Sequence, residues 1–187
     1  MAPEIAALES ALDAAEHDAR TLVAGLTAAD GLWRPAPGAW SIAECLDHLA
    51  TANRIYVAAM RPSAVEARAR GRLRRRPALP GTIGGWFVRS LEPPVTRRMR
   101  APRAIVPRQA PALADALAGF LDSHEATRVF LREFADIDLY GVLFPNPFIP
   151  GLRFSLATGL HVIPAHERRH LWQAWRVRRA MSSHGGE

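Results

Sequence analysis

Four stretches of this sequence repeat apolar residues every three or four positions, with proline and glycine clusters between them, so its core must be built from helices. The first runs from about Glu4 to Leu26, placing Ile5, Leu8, Leu12, Ala15, Ala19, Leu22 and Leu26 on one face. It ends before TAADGLWRPAPGAW, where Pro35, Pro37 and Gly38 forbid continuation. The second opens at Ser41, and Glu44 completes a capping box: the serine side chain accepts the Glu44 amide while the glutamate reaches back to the serine amide. Its stripe of Ile42, Cys45, Leu49, Ala52, Ile55 and Ala59 predicts a helix reaching Met60. The third opens near Pro111, a suitable first-turn residue, and continues to about Ala135 through Leu113, Leu117, Phe120, Leu121, Val129, Phe130 and Phe134. The fourth spans roughly Phe154 to Met181. No strand pattern competes, and the loop LYGVLFPNPFIPG is expected to bring aromatic bulk to the core.

These segments predict an all-α four-helix bundle with a loop-rich, Arg-rich insertion between the second and third helices. Residues 1–181 form one expected domain and residues 182–187 a loose tail. Within the insertion, the arginine-dense RPSAVEARARGRLRRRPALPG has room for a short helix before Pro77 and Pro80, GWFVRSLEPPV for another turn or two, and RAPRAIVPRQAP reads as extended. Residues 61–108 hold 13 of the 24 basic residues and only Glu66 and Glu92 as acids. Every basic residue is Arg, as a GC-rich genome would write, and the patch is expected to be solvated surface rather than a phosphate-binding face. Hydrophobic residues make up 49% of the chain and mean hydropathy is -0.05, a globular composition. No apolar run approaches the roughly 20 residues that span a bilayer. The N-terminal residues do not read as a signal peptide, and Cys45, the sole cysteine, has no intramolecular disulfide partner. A reducing, cytoplasmic home is the expectation.

Three histidines fall on inward faces. His48 lies three residues after Cys45, on the apolar stripe of the second helix. On the fourth helix the stripe is Ile163, His166, His170, Ala174 and Val177, so His166 and His170 sit one turn apart and can reach one ion. Imidazoles aimed into an apolar bundle are costly unless something pairs them, and a divalent metal satisfies three nitrogens at once. For His48 alone, a hydrogen bond to a core carbonyl is the favoured reading. His161 projects about 140° and 180° away from the pair and is left out, and His17, His124 and His184 show no comparable placement. Cys45, one turn from His48, is expected to be a small buried residue rather than a ligand.

His166–Glu167–Arg168–Arg169–His170 also matches HExxH, the zinc-peptidase pattern. The metzincin extension would need Gly at 173 and His at 176, where Gln173 and Arg176 stand. The other main class needs a downstream glutamate on another helix, yet Glu187 is the sole acid after His170. A peptidase is therefore not expected. Glu167, about 100° round the helix from His166, is read as a surface residue beside Arg168 and Arg169 rather than a base.

With PGAWSIAECLDHLA leading into the second helix, EPPV and RAP in the middle, and HERRHLWQAWRV in the fourth, the chain resembles the DinB/YfiT-like superfamily. The resemblance implies a four-helix bundle, usually dimeric, binding Ni or Zn through a second-helix histidine and a last-helix His-x3-His pair. Those positions are His48, His166 and His170 here. Some relatives are transferases or isomerases that use a low-molecular-weight thiol. The expected function is a metal-dependent enzyme of the thiol-transferase or hydrolase class, holding one Ni, Zn or Fe ion and acting on a small molecule. The alternatives are a non-catalytic metal- or ligand-binding stress protein and, least favoured, a nucleic-acid binder.

Overall fold

The computed structural model describes residues 2–95, 102–107 and 111–184. Arg97, Arg98, Arg100, Ala101 and Arg108 of the Arg-rich insertion, and residues 185–187 of the expected tail, lie outside the described residues. The helices are α1 (Pro3–Val23), α2 (Ala28–Leu32), α3 (Ile42–Ala69), α4 (Thr82–Leu91), α5 (Leu113–Phe134) and α6 (Leu156–His184). A 3-10 turn spans Arg103–Ile105, and strands β1 (Leu143–Pro145) and β2 (Arg153–Ser155) precede α6.

The four long helices α1, α3, α5 and α6 are those expected from periodicity. The Ser41–Glu44 capping box forms at the start of α3, with Glu44 N donating to Ser41 Oγ at 3.2 Å and Ser41 N to Glu44 Oε2 at 2.8 Å. A second box, Thr27 with Asp30, starts α2 inside the segment read as a turn. The end of α3 differs from expectation. The helix passes through Pro62, because Ala64 and Ala67 beyond it are buried and their packing offsets the lost backbone bond. Its stop is Gly71, whose φ of 64° lets the amide of Arg72 turn back to the Ala67 carbonyl. The absence of strands is also corrected. The aromatic loop after α5 closes as an antiparallel hairpin with Phe144 opposite Phe154, both buried, and Asn146 Oδ1 accepts the Phe148 and Ile149 amides in its turn. One inward residue per three-residue strand is too short a pattern to betray alternation.

α3 packs on α5 and α6, and α1 packs on α6 and α5, which closes a ring in the order α1–α5–α3–α6. Of the long helices consecutive along the chain, α1 and α3, and likewise α5 and α6, lie across the bundle from each other, whereas α3 and α5 are side by side. The core has two apolar clusters. One holds Leu8 and Leu12 of α1, Tyr56 and Met60 of α3, Phe130 and Phe134 of α5, and Leu160 and Ile163 of α6. The other holds Ala19 and Leu22 of α1, Ile42 and Leu46 of α3, Phe120 of α5, and Leu171 and Ala174 of α6. α1 and α6 therefore run one way and α3 and α5 the other.

Where α3 and α6 meet at the first cluster, Gly159 is a close approach: an added Cβ would lie 2.7 Å from Met60 Sδ and 2.8 Å from two Phe144 ring carbons. Gly159→Ala is expected to destabilise the chain by about 1–3 kcal/mol through overpacking, read as a lower urea midpoint with an unchanged m-value.

Among the described residues, five of the insertion's arginines meet carboxylates. Arg61 pairs with Glu133 at 2.7 Å, Arg68 with Asp136 at 2.7 Å, Arg70 with Glu66 at 2.6 Å and Arg72 with Asp138 at 3.5 Å, while Arg74 pairs with Glu4. The exposed pairs among them add little stability.

Candidate metal centre

α3 and α6 bring His48, His166 and His170 together, with one ring nitrogen from each within 4.8 Å of the others. Ring centroids lie 4.9 Å apart for His48–His166, 4.4 Å for His48–His170 and 4.6 Å for His166–His170. His48 and His170 are buried, and His166 keeps an edge open to solvent.

The outer nitrogens fix which atoms face inward. His48 Nδ1 is 2.7 Å from the carbonyl of Ile105 in the 3-10 turn; a carbonyl only accepts, so Nδ1 carries the proton and Nε2 keeps its lone pair. His170 Nδ1 sits 3.0 Å from Gln173 Oε1, which makes the same choice for that ring. His48 Nε2 and His166 Nε2 then face each other at 3.2 Å. Two nitrogens each about 2.1 Å from one ion, at angles between a right angle and tetrahedral, lie about 3.0–3.4 Å apart. The donor set and its outer partners therefore fit a divalent ion.

All three rings are held neutral, the form that binds metal. Burial pushes the His48 proton affinity down, partly offset by the Ile105 carbonyl. Desolvation takes His166 from its ordinary 6.5 to about 3, with His48 and Arg169 adding repulsion. His170 falls well below 6.5, first through desolvation and then through the charges of His166, His48 and Arg169. Trp40, just ahead of α3, covers one side: its ring is 4.7 Å from His48 and stacks on His170 at 5.6 Å.

His161 turns away to the Ala78 carbonyl at 3.1 Å. Cys45 is buried in the second apolar cluster, and burial beside Glu44 pushes its thiol up, out of the thiolate form a ligand needs. His48 meets the Ile105 carbonyl through one nitrogen and faces His166 through the other. Glu167 is a correction: it is not surface but fully buried. α6 packs against α1, α3 and α4, so its buried arc is wide enough to include a residue 100° from His166.

His124 was also missed. Its Nε2 lies 2.8 Å from Glu167 Oε1 and its Nδ1 3.2 Å from Glu16 Oε1, and Asn53 Nδ2 donates to Glu167 Oε1 at 2.7 Å. A helical signal existed for all four. Glu16 lies four residues after Leu12, Asn53 four after Leu49, His124 four after Phe120, and Glu167 four after Ile163.

The DinB superfamily family model matches residues 11–174. The chain belongs to the DinB superfamily. Among solved structures it is similar to that of YfiT from Bacillus subtilis, described as a probable metal-dependent hydrolase with an unusual four-helix bundle topology. The two share 16% sequence identity with a TM-score of 0.62, and the alignment covers 97% of this chain and 90% of that one. At that identity the likeness establishes the fold. No curated protein matches.

Proposed function

We propose that this DinB-superfamily chain is a metal-dependent enzyme that holds one divalent ion, Ni, Zn or Fe, through His48, His166 and His170. It would act on a small molecule by hydrolysis or by addition of a low-molecular-weight thiol, as a cytoplasmic homodimer. The observation that carries this is the pair of facing Nε2 atoms, 3.2 Å apart in neutral rings. The hydrolase description of YfiT supports one of the two classes. Among the described residues no helix is long and apolar enough to cross a membrane.

The chain's own residues have separable tasks. The Ile105 carbonyl and Gln173 orient two of the imidazoles. Trp40 shields one side from water, and the open edge of His166 leaves an approach for substrate. Three neutral nitrogens leave coordination positions free, and a bound divalent ion supplies Lewis acidity that activates a water or thiol near neutral pH.

The test is turnover by metal-loaded protein against a panel of esters and amides, and against electrophiles with added thiols. Metal-dependent turnover that His170→Ala abolishes is the expected result. Metal binding with no turnover on any of them would favour the non-catalytic stress-protein reading.

A further inference from the structure

The two apolar clusters are separated by a polar layer to which every long helix contributes. On α1, Glu16 lies one turn after Leu12 of one cluster and is flanked by Ala15 and Ala19 of the other. On α3, Asn53 lies between Ala50 and Tyr56; on α5, Ser123, His124 and Thr127 lie between Phe120 and Phe130. On α6 the layer is occupied by Glu167, the residue after His166.

These side chains join into one network around the Glu167 carboxylate. Its Oε1 accepts from Asn53 Nδ2 at 2.7 Å and faces His124 Nε2 at 2.8 Å. Asn53 also donates to Ser123 Oγ at 3.1 Å, and Ser123 Oγ donates to the Phe120 carbonyl at 2.6 Å. His124 Nδ1 continues to Glu16, which Arg128 holds at 2.5 Å. Carboxylate oxygens only accept, so both His124 bonds form together when both ring nitrogens carry hydrogen. Glu167 Oε2 is buried with no partner among the described residues.

A buried carboxylate is a poor way to gain stability, since a well-packed apolar side chain of similar volume serves as well or better. Its benefit is directional: the bonds made by Glu167 Oε1 run to particular atoms of α3 and α5, and buried polar bonds of that kind specify one arrangement of the elements that make them. Apolar packing alone lets a helix turn slightly about its axis at low cost. A ligand set tolerates displacements of only about 0.5 Å and 10–20°. α6 carries two of the three candidate ligands, and Glu167 locks that turn of the helix to α3 and α5 directly and to α1 through His124.

We infer that Glu167 is a positioning residue for the metal centre, one that uses the Asn53–His124–Glu16 network to fix the rotation of α6 so that His166 and His170 face His48. This rests on the metal reading above. Glu167 need not touch the ion; it acts through the helix that presents the ligands.

The test compares Glu167→Leu, Glu167→Gln and Asn53→Ala with the native chain, using Zn2+ affinity by chelator competition and the visible spectrum of the Co2+ form, with folding checked by circular dichroism. Glu167→Leu is expected to bind Zn2+ about 10–100-fold more weakly, the usual cost of losing a ligand's outer support, and to shift the Co2+ bands. Glu167→Gln keeps an Oε1 acceptor and should restore the native Co2+ spectrum, a rescue that a purely structural role does not predict. Asn53→Ala should weaken Zn2+ binding in the same direction, and it decides the matter if the leucine variant does not fold. Native affinity and native Co2+ bands in folded Glu167→Leu, or in folded Asn53→Ala if leucine is not tolerated, would overturn the inference while leaving the metal site standing. A native chain that binds neither ion would remove both.

Discussion

Replacing His170 by alanine is expected to remove most of the thermal stabilisation that the native chain gains from Zn2+ or Ni2+. An ion that binds only the folded state at about a thousand times its Kd adds about 4 kcal/mol, which for a domain of this size raises Tm by about 8–16 °C. In the proposed site His170 supplies one of three nitrogens, and its Nδ1 is already engaged by Gln173. Losing a ligand costs more than losing an outer-shell partner, whose loss alone is worth about 10–100-fold in affinity. At fixed ion concentration, a 100-fold loss removes about 2.7 kcal/mol of the stabilisation. His48→Ala should behave alike, and the metal-free forms of both variants should remain folded, since α3 and α6 keep their apolar contacts. Differential scanning fluorimetry with and without the ion reads all of this. An undiminished metal-induced shift in His170→Ala would contradict the ligand assignment.

The second large effect is the acid sensitivity of the metal-free protein. Burial depresses the proton affinity of His48, His166 and His170 in the fold, His166 to about 3, whereas the unfolded chain titrates near 6.5. Between those values the unfolded state binds more protons than the folded one, so stability falls as pH falls. Above the unfolded value the penalty is absent, and below the folded value it is complete. Each such histidine contributes up to about 1.4 kcal/mol per pH unit within its window. Urea midpoints of metal-free protein should therefore drop steeply between pH 7 and pH 5, and His166→Ala should flatten that slope. An equal slope in the variant would contradict the neutral triad. Protons also compete for the same nitrogens, so metal should be released over the same range.

The long helices were legible in the sequence because each buries a stripe at helical spacing, and the His-x3-His pair because both members lie on such a stripe. The end of α3 was not legible, since Pro62 is a strong local breaker and only tertiary packing of Ala64 and Ala67 shows why the helix continues. The ring order of the helices was also hidden, because periodicity says which face is buried but not which neighbour buries it. The polar layer was missed for a different reason. Glu16, Asn53, His124 and Glu167 sit in core register, but charged and amide side chains ordinarily mark a surface face, and only their meeting in space explains the burial of the last three and the half-burial of Glu16. The partners of the triad's outer nitrogens divide the same way: Gln173 is one helical turn from His170, whereas the Ile105 carbonyl reaches His48 from the insertion and leaves no local mark.

The central claim is that His48, His166 and His170 hold one ion, and elemental analysis of purified protein tests it most directly. About one Ni, Zn or Fe per native chain, falling to near none in folded His48→Ala/His170→Ala, is the predicted result. A double variant that keeps its metal would contradict it.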